Sequence, residues 1–126
     1  MPVPPKVRDR CLPFLPDGDR IQYVFAGNSL YLNGMAALYG FLVVVTDRRV
    51  VVLACGRFRR LRPKSVWEVL PRSTELGPVE EHPSLGPTVS FADLVLEIDE
   101  ADIVAIRAAD LERDGVWAPQ DPLPDL

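Results

Sequence analysis

Apolar residues along this chain gather in short runs separated by polar punctuation. The clearest case is GFLVVVTDRRVVVLACG, residues 40–56, where the runs 41–45 and 50–54 are split by Thr46, Asp47, Arg48 and Arg49. Val43, Val44, Val45, Val50, Val51 and Val52 are β-branched, so they favour an extended backbone and lose rotamer freedom in a helix. Asp47 is suited to hydrogen-bonding the backbone of a tight turn, and Thr46 to closing its mouth. The pattern therefore predicts two antiparallel strands. A membrane helix is excluded here: it needs about 20 consecutive apolar residues, and residues 35–45 supply only 11 before the charges of Asp47, Arg48 and Arg49 intervene. Both faces of the hairpin are apolar, so each must be covered by a second sheet, a helix or a partner.

Around this centre the alternation changes period several times. Residues 6–12 read as a short helix stopped by Pro13 and Pro16, and PDGD at 16–19 as a turn. In RIQYVFA, 20–26, Ile21, Tyr23 and Phe25 alternate with Arg20, Gln22, Val24 and Ala26, which predicts a strand with one buried face. GNSLYLNG, 27–34, reads as a loop or short irregular strand with Leu30, Tyr31 and Leu32 packed. SVWEVL, 65–70, predicts a strand ended by Pro71 with Trp67 in the core. TELGPV at 74–79 suggests a further short strand, EEHPSLGP at 80–87 a loop, and 89–91 and 94–98 two more strands. From Asp99 the chain becomes helical: Asp99 is placed to cap, and Glu100 and Asp102 fall in the first turn. Ile103, Ile106 and Asp110 then lie on one strip and Val104, Ala108 and Leu111 on the next, together an apolar stripe that can dock on a sheet. The expected fold is mainly β with a C-terminal helix (α+β): about seven antiparallel strands in a sandwich or partly open barrel capped by that helix. The expected organisation is an N-terminal arm or short helix at 1–13, one domain at 14–113 and an acidic, Pro-rich tail at 114–126, from which Trp117 folds back.

Composition changes this picture little, and charge changes it more. A chain of 126 residues that is 48% hydrophobic can bury a core without staples. The opening MPVPPKVRDR lacks the apolar stretch of a signal peptide, so a cytoplasmic location is expected and Cys11 and Cys55 are expected to be reduced. The net charge of −4 conceals a polar layout: residues 47–72 hold 8 basic and 2 acidic residues, and residues 73–126 hold 2 basic and 13 acidic.

The candidate binding residues follow from that layout. Arg57, Arg59, Arg60, Arg62 and Lys64 place five cations in eight residues, with Phe58 and Leu61 between them. Such a segment suits anionic lipid head groups, with the apolar residues inserting, or an acidic protein. Nucleic acid could use the same charges with Phe58 stacking, but the overall acidity argues against it. The plainest alternative is a solvated strand whose arginines pair with the chain's own acidic segment, 93–114. His82 has no nucleophile or orienting group at a recognisable spacing, and with Glu80 and Glu81 it falls short of a usual zinc ligand set. Cys55 is expected at a strand end as a small apolar side chain, Cys11 is expected to be more exposed, and a lowered Cys55 pKa would need Arg57 or Arg59 beside it. No catalytic, metal or cofactor constellation is expected.

GFLVVVTDRRVVVL at 40–53 and RPKSVWEVLPRSTELGP at 62–78 resemble the small bacterial PH-like and GRAM domains of the pleckstrin-homology superfold, and AIRAAD at 105–110 is similar to the start of their closing helix. The likeness covers about residues 14–113. It implies a curved, nearly orthogonal pair of antiparallel sheets with the final helix plugging one open end, and no enzymatic activity, since members serve as protein-binding or lipid-binding platforms. The basic pattern that binds phosphoinositides in this family lies between the first two strands; here residues 27–36 contain no lysine or arginine. The expected role is a non-enzymatic protein-interaction module. The alternative is peripheral binding to anionic lipid at the inner face of the membrane through residues 57–64. A second copy covering the hairpin would be a further partner, and no nucleic acid or cofactor is expected.

Overall fold

The computed structural model describes residues 3–32, 35–56, 61–82 and 86–113. A short helix α1 (Pro5–Cys11) and one 3-10 turn precede seven strands: β1 (Ile21–Leu32), β2 (Met35–Thr46), β3 (Arg49–Gly56), β4 (Ser65–Pro71), β5 (Glu80–His82), β6 (Gly86–Phe91) and β7 (Leu94–Ile98). A second 3-10 turn, Glu100–Asp102, leads into the C-terminal helix α2 (Ile103–Leu111). The strands form a single antiparallel sheet in the order β4-β3-β2-β1-β7-β6-β5, open between β4 and β5. The expected fold class, mainly β with seven antiparallel strands and a C-terminal helix, is the one observed.

The hairpin at the centre is β2–β3, with Val43 opposite Val52, Val44 opposite Val51 and Val45 opposite Val50. Thr46 organises its turn. The fully buried hydroxyl accepts the backbone N–H groups of Arg48 (3.1 Å) and Arg49 (3.0 Å) and donates to Asp19 Oδ2 at 3.0 Å. Asp47 works outward, accepting the N–H of Arg20 at 3.0 Å and so fixing the entry to β1. Arg49 closes the corner with a 2.8 Å ion pair to Asp19, whose side chain is fully buried.

Both faces of the hairpin are covered from within the chain. Val43, Val45, Val50 and Val52 join Phe25, Phe41, Leu96, Phe91 and Ile106 in the main core, so the sheet curls until β6, β7 and α2 close over β1–β3. The alternate residues Leu42, Val44, Val51 and Leu53 form a second cluster with Val7 and Cys11 of α1. Curling needs a close crossing where β1 meets β7, and Gly27 supplies it: a Cβ there would lie 2.9 Å from the Leu96 Cβ. Four hydrogen bonds tie α2 and its C-cap residue Glu112 to the rest of the described chain. Asp110 accepts the N–H groups of Leu76 (2.8 Å) and Gly77 (2.9 Å), Arg72 donates to the Ala109 carbonyl (3.1 Å), and Tyr23 donates to Glu112 (3.1 Å).

Several expectations are corrected. Of the two readings of residues 27–32, loop or short irregular strand, the strand is observed: β1 continues against β2 down to Leu32 opposite Met35, with an irregularity between Ser29 and Tyr31, because the ladder overrides the weak strand propensity of Gly27 and Asn28. The side chains of Leu30, Tyr31 and Leu32 lie outside the described part. Residues 80–82 are strand β5, paired with β6, where a loop was expected. Residues 74–79 are not a strand; the Asp110 carboxylate takes the amide hydrogens that a ladder would have used. Val24 is buried in the α1 cluster, so β1 buries both faces. On α2 the buried residues are Ile106 and Ala109, whereas Val104 and Leu111 are 77% and 70% exposed, so the apolar stripe is narrower than the sequence suggests. Cys11 is fully buried, and Trp67 is 40% exposed, leaning edge-on against Phe41 with ring centroids 5.3 Å apart. The tail, with Trp117, lies outside the described residues.

Candidate functional site

Of the predicted binding segment, Arg57, Phe58, Arg59 and Arg60 lie outside the described residues. Arg62 and Lys64 are exposed at the entry to β4. Their backbone is latched to the rest of the molecule. Leu61 takes a left-handed φ of 64° and its carbonyl accepts Arg10 Nη1 at 3.1 Å, while the Lys64 N–H donates to the Ala54 carbonyl at 2.8 Å.

β4 pairs with β3 alone and ends the sheet. It leaves three large apolar residues in view: Val66 at 43%, Trp67 at 40% and Val69 at 54% exposure. Their placement follows from the register. Val66 is opposite Leu53 and Val69 is opposite Val51, with an irregularity between them that isolates Trp67. Leu53 and Val51 belong to the cluster covered by α1. Directly opposed residues share a face, so Val66 and Val69 extend that apolar face sideways beyond the helix. Trp67 turns to the opposite face, where it meets Tyr39 and Phe41.

A cleft of about 490 Å³ lies on the other side of β1. Ala26, Gly27 and Asn28 of β1, Glu97 and Ile98 of β7, Asp99 and Asp102 before α2, and Val3, Pro4 and Leu61 line it. Asp99 caps the following turn by accepting the Ala101 N–H at 2.8 Å. Asp102 is 4% exposed, and burial, with the Asp99 charge second, pushes its carboxyl up to about 6, against a hydrogen bond from the Ala26 N–H that favours ionisation. Nothing in the one-dimensional pattern pointed to this cleft; only the β1–β7 pairing joins residues about 70 positions apart.

Neither cysteine is set up as a nucleophile. Cys11 and Cys55 are free and buried in the same cluster. Burial, then the neighbouring Cys55, pushes the Cys11 thiol up to about 11, with Arg8 opposing. Burial likewise raises Cys55, over the opposing amides of Arg62 and Leu61, in keeping with the expected small apolar side chain at a strand end; Arg57 and Arg59 lie outside the described residues. His82 stands at the end of β5 opposite Gly86. Among the described residues no three His, Cys, Asp or Glu side chains converge as metal ligands, and no helix is long and apolar enough to cross a membrane.

No family model, curated protein or solved structure matches this chain. The functional reading therefore rests on the molecule's own surfaces.

Proposed function

We propose that this chain is a non-enzymatic, PH-like binding module that acts as a protein-interaction domain through the outer face of β4. The order β4-β3-β2-β1-β7-β6-β5 with a closing helix supports the PH-like part of the reading. The observation that carries the protein-interaction part is the pair of exposed valines, Val66 and Val69, continuing an apolar face that α1 covers only in part. An apolar strip beside a cationic rim marks an interaction site better than scattered apolar residues do.

The partner's side chains dock on the strip; its backbone does not extend the sheet. The irregularity at Trp67 and the prolines at 63 and 71 blunt strand addition, since edges are commonly protected by bulges and prolines. Exposed Arg62 and Lys64 at the same end of the strand favour a partner whose apolar docking residues are flanked by acidic ones. The test is a photo-crosslinking amino acid at position 69 in the native host, with position 107, an exposed site on α2, as the control. A discrete adduct with another polypeptide from position 69 only is the expected result. No adduct, or one confined to the chain's own segment 114–126, would overturn the reading.

A second reading, peripheral binding to anionic lipid, is favoured by the exposure of Arg62 and Lys64 next to Val66. Co-sedimentation with vesicles containing phosphatidylserine, lost in Arg62→Glu/Lys64→Glu, would establish it. Equal recovery with neutral vesicles would dispose of it.

A further inference from the structure

We propose that the chain's own segment 114–126 docks as a strap along β4, seating its prolines on Trp67 and its carboxylates against Arg62 and Lys64. Trp67 lies on the face of β4 opposite Val66 and Val69. The strap therefore stands or falls independently of docking on that strip.

Trp67 is a large aromatic surface that the fold holds still without burying. It is 40% exposed, Phe41 braces it edge-on with ring centroids 5.3 Å apart, and Tyr39 leans on it at 6.4 Å. Phe41 shares the main core with Ile106 and Ala109 of α2, so Trp67 and the closing helix are on the same side of the sheet. A fixed ring of this kind is a platform for proline. The polyproline II backbone is already extended and loses little entropy when it docks on an aromatic surface.

The segment that follows α2 has the matching chemistry. It reads DGVWAPQDPLPDL, with Pro119, Pro122 and Pro124 among the acidic residues Asp114, Asp121 and Asp125, and it contains no lysine or arginine. Exposed Arg62 and Lys64, at the entry to β4, carry the opposite charge.

It also starts in the right place. The Ala109 carbonyl accepts Arg72 Nη1 at 3.1 Å, and Arg72 directly follows β4. Arg113, four residues beyond Ala109, therefore ends the described chain close to the C-terminal end of β4. Back along β4 from Arg72, Trp67 is about 17 Å away and Lys64 about 26 Å, at roughly 3.3 Å per residue. A proline-rich segment leaving Arg113 antiparallel to β4 places Pro119 about 19 Å and Asp121 about 25 Å along, at roughly 3.1 Å per residue. Pro119 thus comes level with Trp67 and Asp121 with Lys64, and Asp125 is left for Arg62.

The test is a nitroxide label at Gln120→Cys in the full chain, read by NMR. Cys11 and Cys55 are buried, so the label goes to the new thiol. Trp117→Phe in the same chain leaves Trp67 as the source of the indole N–H signal. Paramagnetic broadening is expected at the Trp67 indole and at the Lys64 and Leu70 amides, severalfold stronger than at Asp9 of α1 across the sheet, and unchanged on dilution with unlabelled protein. Asp121→Lys/Asp125→Lys should reduce it severalfold, as should Trp67→Ser at Lys64 and Leu70. The first of these variants alters no residue of the helices or the sheet, so it serves if Trp67→Ser does not fold. Broadening that fades on dilution would give the patch to a second copy and overturn the proposal. Weak, even broadening over the whole surface, or broadening indifferent to the substitutions in folded protein, would overturn it as well.

Discussion

The Asp110 carboxylate on α2 receives the backbone N–H of Leu76 at 2.8 Å, and its second oxygen receives Gly77 at 2.9 Å. This pair of bonds ties the segment after β4 to the closing helix and seats Leu76, which is 1% exposed, in the main core. Removing the acceptor leaves two amides unpaired at a packed boundary, a change of about 1–3 kcal/mol. Asp110→Ala is therefore expected to lower the urea midpoint by that amount with little change in slope. Asp110→Asn, which keeps one acceptor oxygen, should cost less than half as much. Equal stability of all three proteins would contradict the role assigned to Asp110.

Thr46 carries the hairpin turn through its hydroxyl, not its methyl group. Thr46→Val keeps the shape but leaves the N–H groups of Arg48 and Arg49 and the Asp19 carboxylate without that partner. A loss of about 1–3 kcal/mol is expected from thermal or chemical unfolding. Thr46→Ser retains the hydroxyl and should lose well under half of that.

Asp102 makes stability depend on pH with a sign opposite to that of a salt-bridged carboxylate. Its folded pKa, raised from 3.8 to about 6, means the folded state holds the proton over an interval in which the unfolded chain has lost it. Its contribution is thus fully present below about pH 4 and is lost as pH rises to about 6. Burial and then the neighbouring Asp99 charge disfavour its ionisation, against the Ala26 amide, which favours it. Other carboxylates titrate in the same range, so the informative quantity is a difference. Asp102→Asn should gain on the wild type by roughly 1–3 kcal/mol between pH 4 and pH 7. A stability difference independent of pH would contradict the assignment.

The parts of this fold that were legible in the sequence are those decided by local chemistry. The valine runs with a Thr-Asp-Arg-Arg bend specify β2 and β3, and Asp99 with an alanine-rich stretch specifies the start of the closing helix. The parts that were not legible are decided by tertiary pairing. Gly27 and Asn28 look like loop residues, yet they lie where β1 must cross β7, and Gly27 is there because Leu96 leaves no room for a Cβ. β5 is three residues long and is specified by β6, not by its own composition. Trp67 reads as a core residue by type, but an irregularity in β4 and its terminal position leave it half exposed. The candidate strip was invisible for the same reason: SVWEVL reveals a strand, while only the register against β3 reveals which face Val66 and Val69 occupy and that nothing described covers it.

The most direct test of the central claim is affinity purification from the native host of the tagged wild type and of Val66→Lys/Val69→Lys, after circular dichroism and thermal melting have shown that both are folded. Both valines are surface residues, so the double variant should melt within about 2 °C of the wild type, as surface changes usually do. A protein partner recovered in stoichiometric amount with the wild type and lost with the folded double variant is the outcome the account predicts. Recovery of the same partner, in the same amount, from both would contradict the assignment of β4 as the docking face.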